Sequence, residues 1–187
     1  MFCDIRSFTT IAESREPTET IELLNDYYTL MMDAIGGEGG IVNQMVGDGL
    51  MAIFGAPLPR DGHRQRAVLA ARQMVELVRL FNEEQAARDK VQIEIGIGIG
   101  SGQVVAGYTG TLHRATYTCV GDTVNVAARL EAHTKVLNRP ILIDENTRRG
   151  LEDGITVEAH GELQMKGKTQ PVKVYAVLVE SLVAESA

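Results

Sequence analysis

Apolar positions in residues 17–35 recur three and four apart, at Ile21, Leu24, Tyr28, Met31 and Ile35, and this spacing predicts an amphipathic helix. Pro17 suits its first turn, and Gly36-Gly37 suits its end. Residues 41–46 and 50–54 read as two strands joined by a Gly47-Asp48-Gly49 turn, a hairpin signal. A long second helix is predicted over 63–88, with Val68, Ala71, Val75, Val78 and Leu80 along or beside its buried stripe. Over 93–99 isoleucine alternates with Glu or Gly, so one strand face is apolar and the other is nearly bare backbone. Two further strands, 104–107 and 115–120, surround a Gly/Thr-rich connection, and a helix follows over 123–135. Short strands at 141–143 and 172–179, with a short helix near 145–150, complete the pattern. Long helices mixed with short strands and one hairpin predict an α+β sandwich.

Two aspartates interrupt this pattern. Asp4 lies in Phe2-Cys3-Asp4-Ile5-Arg6-Ser7-Phe8-Thr9, and Asp48 lies in the hairpin turn. A carboxylate in a strand-like apolar run needs a partner or a metal. Taken singly, each is as readily a turn aspartate. Brought together at neighbouring strand ends, they would make a hard oxygen site suited to Mg²⁺ or Mn²⁺. The glycines at 96, 98, 100 and 102 invite a phosphate-loop reading, but neither GxGxxG nor GxxxxGK[ST] can be drawn. Their period of two favours close packing or an interface over direct phosphate contact.

Composition narrows the picture. A chain of 187 residues suits one domain with a sizeable core. The net charge of −7 argues against a nucleic-acid-binding face, and a polyanionic substrate would need locally placed cations. Cys3 and Cys119 form no CxxC, and the four histidines have no metal-ligand spacing, so a reducing compartment is expected. No apolar run approaches the roughly 20 residues that span a bilayer, and there is no signal-peptide pattern. The domain is therefore expected to be cytoplasmic, without membrane contact of its own. Residues 1–3 read as a strand fragment leading straight into Asp4, which points to excision from a longer, potentially membrane-anchored parent with an upstream regulatory module.

With Gly121-Asp122-Thr123-Val124-Asn125-x-Ala127-x-Arg129 added, the chain resembles the catalytic domain of bacterial class III adenylate/guanylate cyclases. Phe2-x-Asp4-Ile5-x-x-Phe8-Thr9 and Gly47-Asp48-Gly49 resemble the family's two metal motifs. Gly161-Glu162-Leu163-x-x-Lys166-Gly167-Lys168 resembles the end of the domain. The resemblance implies a ferredoxin-like sandwich, an antiparallel or mixed sheet flanked by helices, over residues 1–180 with a polar tail at 181–187. It also implies conversion of ATP to 3′,5′-cyclic AMP and pyrophosphate, by attack of the ribose 3′-hydroxyl on the α-phosphate. Two Mg²⁺ or Mn²⁺ ions would be held by Asp4, Ile5 and Asp48, while Ser7, Phe8, Thr9 and Lys166 would contact phosphates. Asn125 and Arg129, four apart on one helix face, would orient the ribose and stabilise charge on phosphorus. Each site would lie at a dimer interface, and a chain carrying both residue sets would form a symmetric homodimer, inactive as a monomer. Residues 104–119 are expected to form part of that interface.

Base recognition departs from the usual pattern. ATP-using members carry a lysine where this chain has Gln44, and guanylyl members tend to carry a glutamate there. The partner position is Thr118, as in many bacterial adenylyl cyclases. An amide and a hydroxyl can each donate or accept, so the pair can satisfy either purine. ATP is expected to be preferred, with weak discrimination against GTP. Ser7 also replaces a glycine common in the first motif. The alternatives are a guanylate or dual-substrate cyclase, or a non-catalytic nucleotide-binding dimerisation module.

Overall fold

The structure, a computed structural model, describes residues 1–111, 114–165 and 170–179, Arg114 by its backbone only. The order of elements is β1 (Phe2–Ile5), α1 (Phe8–Glu13), α2 (Pro17–Gly37), β2 (Ile41–Val46), β3 (Gly49–Ile53), α3 (His63–Ala87) and β4 (Ile95–Ile99). There follow β5 (Val105–Thr111), β6 (Arg114–Val120), α4 (Asp122–Leu137), β7 (Ile141–Asp144), α5 (Glu145–Arg148), β8 (Val157–Leu163) and β9 (Val172–Val177). The main sheet runs β2-β3-β1-β4-β7-β9-β8, and β5 and β6 form a separate antiparallel ribbon. Its first four strands are mutually antiparallel and, with α2 and α3, make the ferredoxin-like unit expected. β4 and β7 are parallel, so a crossover must join them, and the ribbon and α4 supply it.

Strand alternation assigns the two sheet faces. Cys3, Ile5, Ile95, Ile97 and Ile99 enter one core with Tyr27, Met31 and Ile35 of α2 and Val68, Ala71 and Met74 of α3. On the other face α4 lies directly on the glycine side of β4. A Cβ at Gly98 would stand 2.2 Å from both the Ala127 carbonyl oxygen and the Glu131 nitrogen, and one at Gly100 would stand 3.0 Å from the Thr123 carbonyl oxygen. The glycine period is therefore a helix-packing device. Gly98→Val is expected to cost about 3 kcal/mol or more, because the clash is with backbone that cannot swing aside. Gly36→Ala, in open space near the end of α2, should cost nothing. Denaturant midpoints of the two variants check the contrast.

Several expectations need correction. The buried stripe of α2 is Leu23, Tyr27, Met31, Ala34 and Ile35, whereas Ile21 is 59% exposed and Leu24 and Tyr28 are only half-buried. Two apolar stripes overlap on this helix, and packing against α3 and the sheet selects the one turned by a residue. Leu80 of α3 is likewise exposed. The ribbon strands extend further towards each other than expected. Neither α1 nor β8 was legible. β8 is an edge strand, mostly exposed along its length, so Val157–Leu163 carries no alternating apolar signal. No helix among the described residues is long and apolar enough to cross a membrane.

Candidate active site

With Cys3 and Ile5 committed to the α2/α3 core, Asp4 between them must point to the α4 side of the sheet. β1 pairs with β3 in the register Cys3 to Leu50, which brings the β2–β3 turn alongside the end of β1. There the Ile5 backbone N–H donates to Asp48 Oδ2 at 3.1 Å. The two aspartates picked from the sequence are thus brought together. Burial pushes the Asp48 carboxyl above its ordinary range and the Asp4 charge adds to this, partly offset by the N–H groups it accepts from. Asp4 Oδ1 is buried and has no hydrogen-bond partner among the described residues.

α4 reaches Asp4 through two residues not singled out in the sequence. Burial first, then the neighbouring Asp4 carboxylate, push the Glu131 carboxyl up to about 8. Lys135 Nζ lies 3.8 Å from Asp4 Oδ2, a half-exposed pair that by itself adds little stability. Arg6 ties the end of β1 to the last turn of α4, donating to the Thr134 and Arg139 carbonyl oxygens at 3.3 and 3.1 Å and to Asn138 Oδ1 at 3.3 Å. A cation at a helix C-terminus is favourably placed. Glu131 and Lys135 were visible only as an i,i+4 pair, the pattern of any solvated helix face.

Asn125 and Arg129 share α4, one exposed and the other half-buried. Among the described residues neither side chain has a hydrogen-bond or ion-pair partner, and neither reaches Asp4 or Asp48. Gln44 and Thr118 are brought together: Gln44 Nε2 donates to Thr118 Oγ1 at 3.3 Å, across the contact between β2 and β6. A register shift in β2 between Val42 and Gln44 accompanies this, and the Asn43 side-chain amide donates to the Tyr117 carbonyl oxygen. Ser7 has φ +55, the left-handed region, so the glycine it replaces would sit there without strain. Phe8 and Thr9 open α1 directly after it. Lys166 and the tail at 181–187 lie outside the described residues.

The family described as "Adenylate and Guanylate cyclase catalytic domain" matches residues 1–179. An adenylate cyclase of Anabaena cylindrica is 36% identical over 184 residues, covering 95% of this chain and 36% of the relative. Adenylate cyclase 1 of Rhizobium meliloti is 32% identical over 178 residues, covering 95% of this chain and 27% of the relative. The chain thus spans only about a third of the length of these curated relatives. The crystal structure of a guanylyl cyclase superposes with TM-score 0.88 at 32% identity, covering 95% of this chain and 89% of that one. The adenylyl cyclase CyaB from P. aeruginosa superposes with TM-score 0.85 at 31% identity, covering 95% and 91%. The chain belongs to the adenylate and guanylate cyclase catalytic domain family. Its class of activity is accordingly that of a cyclase, a phosphorus–oxygen lyase.

Proposed function

We propose that the chain converts ATP to 3′,5′-cyclic AMP and pyrophosphate in a homodimer with two sites, with GTP as a weaker substrate. The observation that carries this reading is the Asp4/Asp48 pair, held together through the Ile5 N–H with one Asp4 oxygen left unpaired. Crowded carboxylates with a spare buried oxygen suit a hard divalent cation, and Asp4, Asp48 and the Ile5 backbone would hold Mg²⁺ or Mn²⁺. Among the described residues no group of three or more His, Cys, Asp or Glu is arranged to hold a metal, so phosphate and water oxygens would complete the coordination. When bound, two such ions would supply Lewis acidity at the 3′-hydroxyl and neutralise the triphosphate. The backbone from Ser7 to Thr9 would approach the phosphates, and Lys166 would add a point charge there.

Asn125 would orient the ribose, and the Arg129 guanidinium would meet charge developing on the α-phosphorus. Their lack of partners among the described residues supports service to the aspartate pair of a second copy. The apolar surface exposed by Val105, Tyr108 and Val120 on the ribbon and by Met45 and Val46 on β2 supports an interface there.

Gln44 and Thr118 would read the base edge. Because either group can donate or accept, the pair leaves no buried group unsatisfied against guanine. The 31% and 32% likeness to an adenylyl and a guanylyl cyclase favours neither base, which keeps a dual-substrate enzyme as the second reading. Turnover of ATP and GTP, each with Mn²⁺ and with Mg²⁺, tests this, provided cyclic and linear products are resolved. Cyclic AMP is expected in excess, and Gln44→Lys should raise the ATP/GTP preference about tenfold. An unchanged ratio would remove Gln44 from base recognition, and no cyclic product at dimeric concentrations would leave a nucleotide-binding module.

A further inference from the structure

We propose that the Tyr28 hydroxyl is a positioning group for Asp48, and that it sets the affinity of the aspartate pair for a divalent cation. The inference rests on the reading of Asp4 and Asp48 as the cation-holding pair.

Two consecutive tyrosines of α2 touch the two aspartate segments. Tyr27 is fully buried, with its hydroxyl 3.3 Å from Cys3 Sγ, beside Asp4. Tyr28 donates its hydroxyl to the Gly47 carbonyl oxygen at 2.5 Å, beside Asp48. The rings pack on one another with centroids 5.3 Å apart at 46°. One turn of helix therefore spans the gap between the segments that must keep the two carboxylates in register.

The turn needs such a brace. Gly47 has φ +63 and open space where a Cβ would be, so no side chain of its own holds it. Glycine on both sides of Asp48 leaves the backbone there with the widest conformational choice. Beyond the Val46–Gly49 pairing that closes the hairpin, two bonds tie the turn to neighbouring elements, Tyr28 to Gly47 and the Ile5 N–H to Asp48. The second ends on the carboxylate that would bind the ion, so the Tyr28 bond is the one that stays available when Asp48 is engaged. Removing it should widen the range of Asp48 positions and lower the population ready to accept a cation, the effect expected of groups that orient metal ligands.

The phenolic ring accounts for packing and the hydroxyl for the turn, so Tyr28→Phe separates the two. The test is Mn²⁺ titration of the full chain without nucleotide, free Mn²⁺ being read by electron paramagnetic resonance, together with kcat and KM for cyclic product. For Tyr28→Phe the Mn²⁺ Kd is expected to rise about five- to tenfold and kcat at subsaturating metal to fall similarly. KM for nucleotide at saturating Mn²⁺ and the thermal midpoint should stay close to wild type. Tyr28→Leu should show at least the same loss of Mn²⁺ affinity. An unchanged Mn²⁺ Kd in Tyr28→Phe, with or without a loss in Tyr28→Leu, overturns the proposal and leaves ring packing as the residue's role. Absence of saturable Mn²⁺ binding by the wild type overturns it together with the reading of the aspartate pair.

Discussion

Asp48→Ala is expected to lower cyclic nucleotide formation by about 10³-fold or more while leaving the fold intact. The loss follows from removing half of a two-carboxylate cation site, where the stabilisation at stake is several kcal/mol. The fold should survive because the Asp48 carboxylate is not held there comfortably. Burial and the Asp4 charge both disfavour its ionised form, offset only in part by backbone N–H groups, that of Ile5 at 3.1 Å among them. Truncation removes that strain together with those hydrogen bonds. Asp48→Asn keeps an acceptor for the Ile5 N–H but loses the charge, and it should be equally inactive. Cyclic product formation by either variant within tenfold of wild type would remove the pair from the chemistry, since a turn aspartate acting through structure alone would be replaceable by asparagine. Circular dichroism and a denaturant midpoint for both variants separate a chemical loss from an unfolded chain.

What was legible in the sequence divides along physical lines. Asp4 and Asp48 stood out because each is a lone carboxylate in an apolar run or its turn, whereas Gln44 and Thr118 were marked only by the family resemblance, and the structure joins the four in two pairs. The α+β class followed from strong periodicity in α2 and α3 and from the hairpin, whereas the ferredoxin-like arrangement of the first four strands was implied only by the family resemblance. Glu131, Lys135 and Arg6 were not legible, since a charged residue on a helix face or after a strand looks solvated until the neighbouring element is in place. Arg6 becomes a helix-end donor only once α4 ends beside β1. Tyr28 was read as part of the buried stripe of α2. It lies one residue off that stripe, which is what frees its hydroxyl for the Gly47 carbonyl oxygen. β8 escaped notice for the opposite reason, because an exposed edge strand has no apolar face to announce it.

The division of labour along α4 leads to the prediction with the most decisive outcome. Asp4→Ala and Arg129→Ala are each expected to be inactive alone, while an equimolar mixture should recover about a quarter of wild-type activity. Random pairing makes half of the dimers mixed, and each mixed dimer has one intact site of two. The reasoning starts from what α4 touches. Glu131 and Lys135 engage Asp4 of the same chain, so the helix contacts its own aspartate pair through that end. Asn125 and Arg129, earlier on the same helix, have no partner among the described residues and reach neither aspartate. An arginine acting on phosphorus must be within hydrogen-bond reach of it, and the phosphorus must lie where the cations are held. In the proposed dimer a second copy meets both conditions. If a single chain carried a whole site, the mixture would stay as inactive as its parts, because neither variant could supply what the other lacks. Dilution gives an independent reading of the same arrangement: specific activity should fall as the dimer dissociates, whereas a site complete in one chain keeps a constant turnover at every concentration.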